Sequence, residues 1–327
     1  MCLSIMPGLA ASTGNEAGSR ADSACEGVGR FQFGGMSVLS SWVLAARPKT
    51  LPAAVAPVAM GGALTARLTG TLSWPLLWYT LGSAMAIQVA TNFFNDAIDA
   101  AKGADRAGRL GPVRATAAGL VSGRQMYLAA VVALLVSGLL ALPLLAARGW
   151  VMLVIGLPSV YFSFGYTGGP WPLAYRGWGD GFVLLYFGLV AVSGTVFVQC
   201  GRWPWEALVA GAQVGMLSTV LIAVNNLRDA EEDRISQKRT LAVRYGTMFS
   251  RVEIALLCLL PHVLGLLVWP LRGWGTLAWW PLPVMLLGGW ISWSVWRTEP
   301  SRKYNLFLAL AGLQLVLFAV LWVLGSV

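Results

Sequence analysis

Six aspartates lie beyond residue 36, at Asp96, Asp99, Asp105, Asp180, Asp229 and Asp233, and all but Asp180 fall in two clusters. The first is N-F-F-N-D-A-I-D-A-A-K-G-A-D, residues 92–105. Asn92, Asp96 and Asp99 stand there at i, i+4 and i+7, which places them on one helical face. The second is N-N-L-R-D-A-E-E-D-R, residues 225–234, with Asn225, Asp229 and Asp233 at i, i+4 and i+8, again one face. Two carboxylate faces brought together repel unless cations bridge them. Mg²⁺ suits such a place, because it accepts a few carboxylates and completes its shell with water and phosphate oxygens. The plainer alternative, solvated helix ends, accounts for Glu231 and Glu232. It does not account for paired aspartates that recur with an asparagine one turn earlier.

Basic residues follow each cluster: Lys102, Arg106, Arg109 and Arg114 after the first, Arg228, Lys238, Arg239 and Arg244 around the second. Such side chains can grip phosphate oxygens that the metals leave free, Lys238 foremost, since its loop can fold back onto Asp233. Membrane topology alone would also supply basic loops, and the two roles are compatible. Between the clusters runs Y-F-S-F-G-Y-T-G-G-P-W-P-L-A-Y-R-G-W-G-D, residues 161–180, where Gly168, Gly169, Pro170 and Pro172 break the helix. Tyr161, Tyr166 and Tyr175 are positioned to shelter an allylic cation with their ring faces. The single histidine, His262, stands far from any carboxylate, and Cys2, Cys25, Cys200 and Cys258 lack metal-ligand spacing. A Ser-His-Asp site and a His-based metal site are thereby excluded.

The elements that must carry these clusters are membrane helices. The chain has 327 residues, 57% hydrophobic and 11% charged, against about 25% charged in an ordinary soluble domain. Apolar runs near 42–67, 74–97, 125–146, 150–168, 181–199, 206–227, 252–271, 277–296 and 304–325 give about nine candidate spans in one all-α polytopic bundle. The net charge of +9 sits between these runs, so it reads as topology and not as nucleic-acid binding. Basic residues concentrate in the loops holding Lys102 to Arg124, Arg228 to Arg251 and Arg297 to Lys303, whereas the alternate loops carry only Arg67, Arg148, Arg202 and Arg272. The rich loops are therefore expected in the cytoplasm, with the N-terminus inside, the C-terminus outside, and both acidic clusters at the cytoplasmic surface of the inner membrane. The clusters end the second and sixth spans, a weak sign of parallel internal duplication. Residues 1–36, rich in Gly, Ala and Ser, read as a disordered leader or an upstream start with Met36 as the working one, leaving 37–327 as the membrane domain.

Four stretches resemble the UbiA superfamily of membrane prenyltransferases, from about residue 45 onward. They are A-A-R-P-K-T-L-P-A-A-V-A-P-V at 45–58, the first Asp cluster with L-G-P-V-R-A-T at 110–116, Y-T-G-G-P-W-P-L-A-Y at 166–175, and N-N-L-R-D with K-R-T-L-A-V-R-Y-G in 225–246. The last is similar to the branch that prenylates 1,4-dihydroxy-2-naphthoate in the menaquinone pathway. The resemblance implies a nine-helix bundle around a cavity open to the lipid bilayer. It implies two Mg²⁺ ions held with a polyprenyl diphosphate by Asn92, Asp96, Asp99, Asp229 and Asp233, and assistance from Arg228 and Lys238. Lys102, Asp105, Arg106, Arg109, Arg114, Tyr161 and Asn225 complete the expected substrate contacts. The implied reaction ionises the diphosphate, lets the naphthoate ring attack, and releases CO₂ to leave a demethylmenaquinol. Transfer of a phytyl group, a different aromatic acceptor, or a transporter with internal ionisable residues are the alternatives. Two positions depart from the family pattern: Asp180, where glutamate is more usual, and Gln237, where glycine is common.

Overall fold

Proline and glycine punctuate the apolar runs and set where each helix begins and stops. In the computed structural model, which describes residues 37–103 and 109–327, α1 is Val38–Ala46 and α2 is Pro52–Thr69. The stretch Val38–Thr50 is bent by 48° from α2, and within it Arg47 adopts a left-handed backbone, φ 51°, before Pro48. Gly70, φ 69°, ends α2, a conformation that costs glycine no Cβ clash. The long α3 is Trp74–Ala101 and α4 is Gly123–Arg148, the latter started by a capping box between Ser122 and Gln125. Then come α5, Val151–Gly165, and α6, Gly179–Cys200. Next are α7, Trp205–Arg228, and the short α8, Ala230–Ile235. The chain closes with α9, Leu241–Val268; α10, Thr276–Trp279; α11, Val284–Arg297; and α12, Tyr304–Ser326. The described residues contain helices and no strand.

Every apolar run expected to be a span overlaps a helix. Five described helices are long and apolar enough to cross a membrane, or six if the bent α1–α2 pair is one span. The remaining runs fall short for local reasons. Helix α3 carries its own polar end, α5 has 15 residues, and Pro281 and Pro283 separate α10 from α11. Such interruptions are tolerable where neighbouring helices cover the freed backbone. The protein is an integral membrane protein.

Helix α7 is the axis of the packing. Trp269, Trp322, Phe318 and Leu315 gather on its N-terminal half, and Tyr304, Phe307, Ile254 and Ile291 on its C-terminal half. Against its other side lies a π-helical stretch of α6, Leu185–Val190. Gly188 there touches Gly211 and Gly215 backbone to backbone, and a Cβ on Gly188 would come within 2.6 Å of the Gly215 Cα. This close approach fixes one wall of the central cavity, and π-helical turns of this kind recur at functional sites. Asp105 and Arg106, expected at the site, lie outside the described residues, as do residues 1–36.

Candidate active site

The first acidic cluster rides on an unbroken helix. All of Asn92, Asp96 and Asp99 lie within α3, are buried, and face the loops that surround its end. The Asn92 amide donates to the Ala46 carbonyl at 2.8 Å and to Thr50 Oγ1 at 3.0 Å. Asp96 accepts from the backbone N–H groups of Ala115, 3.2 Å, and Thr116, 2.8 Å. Asp99 accepts from the Tyr175 hydroxyl at 2.9 Å and faces the Arg114 guanidinium at 3.6 Å. Each residue thus fastens a different loop, 47–50, 110–116 or 167–175, around the mouth of the cavity.

The second cluster does not sit on one continuous helix as its spacing predicts. Helix α7 ends at Arg228, Asp229 adopts φ −95°, ψ 9°, and α8 restarts at Ala230. The backbone N–H of Asp233 still reaches the Asp229 carbonyl at 2.8 Å, so the chain bends without losing register. Arg228, 1% exposed, forks onto Asp229 through Nε at 2.6 Å and Nη2 at 2.7 Å. It also donates to Asn225 at 2.7 Å and to Asn305 of α12 at 2.6 Å. Arg109 adds a contact to Asp229 at 3.1 Å. Burial pushes the Asp229 carboxyl up, but the hydrogen bonds and charges of Arg228 and Arg109 outweigh it and hold the group below the usual carboxylate range. Gly111 leaves room for this fork, since a Cβ there would lie 2.6 Å from Arg228 Nη2 and push the guanidinium off its partners.

Asp233 has the opposite balance. Burial pushes its carboxyl up to about 6; Lys238 opposes this, and the charges of Asp229 and Asp99 add to it. Its Oδ2 is buried without a hydrogen-bond partner, and Lys238 Nζ stands 3.7 Å from Oδ1. Burial lowers the Lys238 ammonium, but Asp233 and Asp99 raise it further, so the net direction is up. The turn before it places Gln237 at φ 59°, in the left-handed region that glycine adopts freely. Lys102 donates to the Thr167 carbonyl at 2.7 Å and lies 3.8 Å over the Tyr175 ring. Burial lowers it, against the raising charge of Asp99.

Of these groups Asn92, Asp99, Arg114, Asn225 and Lys238 line a cavity of about 410 Å³, whereas Asp96, Asp229, Asp233 and Arg228 stand outside its lining; the volume is within the ordinary range for a ligand pocket of roughly 300–1,000 Å³. Asp99, Arg114 and Lys238 line its charged mouth, while Phe162, Tyr186 and Phe187 line its apolar length. Of the tyrosines expected to face it, Tyr166 lines the wall, Tyr175 lies beneath the lysines, and Tyr161 is 51% exposed outside the lining. Asn305, Glu232 and the rings at 162, 182 and 186 had no spacing signal. Glu231 is the solvated end expected, paired with Arg234 at 2.9 Å, whereas Glu232 accepts from the Leu110 N–H at 3.0 Å.

Among the described residues no three His, Cys, Asp or Glu converge as a closed metal cage. What is present is an open arrangement of hard oxygen donors. The carboxylates of Asp99 and Asp233 press on each other's charge, and one buried carboxylate oxygen lacks a partner. That set fits a divalent cation that shares its shell with phosphate oxygens.

A helical membrane enzyme with two acidic helix ends over one apolar cavity is the class this arrangement defines. The sequence matches the UbiA prenyltransferase family over residues 54–324, and the chain belongs to that family. It is 40% identical over 218 residues to a 1,4-dihydroxy-2-naphthoate octaprenyltransferase of Mycobacterium leprae, covering 66% of this chain and 73% of the relative. To the protein of the same name from Escherichia coli it is 32% identical over 222 residues, covering 66% and 72%. Among solved structures, a UbiA homolog from Archaeoglobus fulgidus bound to GPP and Mg²⁺ superposes with a TM-score of 0.64 at 16% identity, covering 88% of this chain and 99% of that one. The protein is a prenyltransferase.

Proposed function

We propose that this enzyme transfers a polyprenyl group from polyprenyl diphosphate to 1,4-dihydroxy-2-naphthoate with loss of CO₂, yielding a demethylmenaquinol. The observation that carries the reading is the cavity, whose charged mouth continues into an aromatic, apolar bore. A lipid chain with an anionic head matches those two chemistries in that order. The names of the relatives support the acceptor.

Of the acidic set, Asp99 and Asp233 would hold Mg²⁺ and the diphosphate head at this mouth, with Asn92, Asp96 and Asp229 completing the set as its frame. When bound, Mg²⁺ neutralises the charge that develops on the leaving diphosphate. The chain's own cations complete the task. Arg228 and Arg109 keep Asp229 ionised, and Lys238 and Lys102 stand beside the diphosphate as the C–O bond breaks. Arg114 lines the cavity beside Asp99, where it serves the acceptor or the diphosphate. The faces of Tyr166 and Phe162 shelter the allylic cation from water. Residues 37–327 form the catalytic unit in the cytoplasmic membrane. Its mouth faces the cytoplasm, the N-terminus lies inside and the C-terminus outside, as the Lys/Arg distribution favours.

The experiment is direct. Carboxyl-labelled naphthoate should release one CO₂ for each prenyl group incorporated, and 4-hydroxybenzoate should not be prenylated. Prenylation of 4-hydroxybenzoate without turnover of the naphthoate would replace the acceptor and leave the prenyltransferase class untouched.

A further inference from the structure

Asp180 takes no part in either acidic cluster, yet it is 4% exposed and lines the same cavity. One carboxylate oxygen, Oδ2, accepts from the Asn226 amide at 3.4 Å. The other, Oδ1, is buried with no hydrogen-bond partner. Leaving a buried carboxylate oxygen unpaired costs on the order of several kcal/mol, so the wall of the cavity keeps it for something that enters. Lys238, Phe182 and Tyr186 line the same cavity as Asp180, so a cation and aromatic rings share it with this carboxylate. Asn226 is equally buried. Ser218, two turns earlier on α7, presents a second buried and unpartnered oxygen to the same cavity.

We propose that Asp180 is the catalytic residue that receives the ring hydroxyl of the aromatic acceptor, oriented by Asn226, an assignment that rests on the acceptor reading above. A carboxylate oxygen with a free lone pair accepts an O–H, and an aromatic diol is the partner with an O–H to give. The proton follows a closed course. As the ring carbon bearing the carboxylate bonds to the prenyl carbon, the adjacent C1 hydroxyl gives its proton to Asp180 Oδ1, and the O–H pair becomes a C=O bond. The C–O pair of the prenyl ester leaves with the diphosphate. The resulting β-keto carboxylate loses CO₂, its C–C pair restores the aromatic ring, and the C1 oxygen takes the proton back from Asp180. CO₂ departs in the place of a ring proton, so no proton leaves the site. A buried carboxylate with no other partner suits that loan and return.

The test is a cycle between enzyme and acceptor, run on the full chain in nanodiscs. Asp180→Asn keeps the shape and removes the base, and turnover of 1,4-dihydroxy-2-naphthoate should fall about 100-fold. Farnesyl thiodiphosphate, with Mg²⁺, should still bind within about twofold of wild type, which also reports that the variant is folded. The 1-O-methyl ether of the naphthoate should lose a comparable factor with wild type and nothing further with Asp180→Asn, since both remove one interaction. Asn226→Leu should lower turnover by a smaller factor, about tenfold, through loss of the orienting amide. Multiplying losses in the cycle, or thiodiphosphate binding that falls in step with turnover, would overturn the assignment. Wild-type turnover of the naphthoate reports separately on the acceptor. If the wild type prenylates 4-hydroxybenzoate instead, the same cycle with 4-methoxybenzoate still decides the role of Asp180.

Discussion

The two acidic helix ends look alike in sequence and differ in what holds them. At the end of α3, neutral groups do most of the binding: backbone N–H groups donate to Asp96 and a tyrosine hydroxyl to Asp99, with Arg114 standing off at 3.6 Å, while Asn92 donates to a backbone carbonyl and a threonine hydroxyl. At the end of α7, cations do it: Arg228 and Arg109 on Asp229, and Lys238 on Asp233. A carboxylate held by neutral donors keeps its charge available and fixes loops. One locked in an arginine fork is already neutralised and serves as a fixed point for its neighbours. The same Asn-Asp-Asp spacing therefore yields a frame on one side and a charge balance on the other. Asp99 lines the shared mouth, and Asp233 stands beside Lys238, which lines it too.

That contrast orders the expected effects. Asp233→Ala removes the carboxylate with an unpartnered buried oxygen and should lower turnover by about 10³-fold with any acceptor. A variant retaining activity within an order of magnitude would show that the second end does not bear on the reaction. Lys238→Met should cost about 100-fold in kcat and deepen the dependence on Mg²⁺ concentration, since the chain's own cation beside Asp233 is gone. Asp96→Asn leaves one oxygen to accept and turns an amide toward a backbone N–H. It should destabilise the 110–116 loop by about 1–3 kcal/mol, seen as a lower Tm, and raise the acceptor KM more than it lowers kcat. If Asp96→Asn behaves like Asp233→Ala, the two ends are equivalent and the contrast fails. Smallest of all is Tyr161→Ala on the outer surface, where turnover should stay within about twofold.

Much of this was legible beforehand because the signals are periodic. Apolar length marks a helix whatever it packs against, and each run from 42–67 to 304–325 overlaps one. The aspartates were legible because charge at the end of an apolar run stands out. Their division of labour was not, since Asp96 is engaged by the backbone of Ala115 and Thr116, and backbone groups leave no mark in residue type. The break at Asp229 was equally hidden: no proline or glycine announces it, and the arginine fork from Arg228 accompanies it. Tyr161 and Tyr166 are five positions apart on a helix that ends between them, which sends one outward and the other to the cavity. Asn305 comes from a helix far along the chain, and only folding brings it to Arg228.

The central claim is that Asp99 and Asp233 hold the diphosphate head through a shared divalent cation while Asp96 frames the mouth. Titration of farnesyl thiodiphosphate into the purified protein in nanodiscs, with Mg²⁺ and with EDTA, measures this without any acceptor. Binding should require Mg²⁺, should be lost in Asp99→Asn and in Asp233→Asn, and should persist within about tenfold in Asp96→Asn. Binding of equal strength in EDTA, or an equal loss in all three variants, would contradict the account.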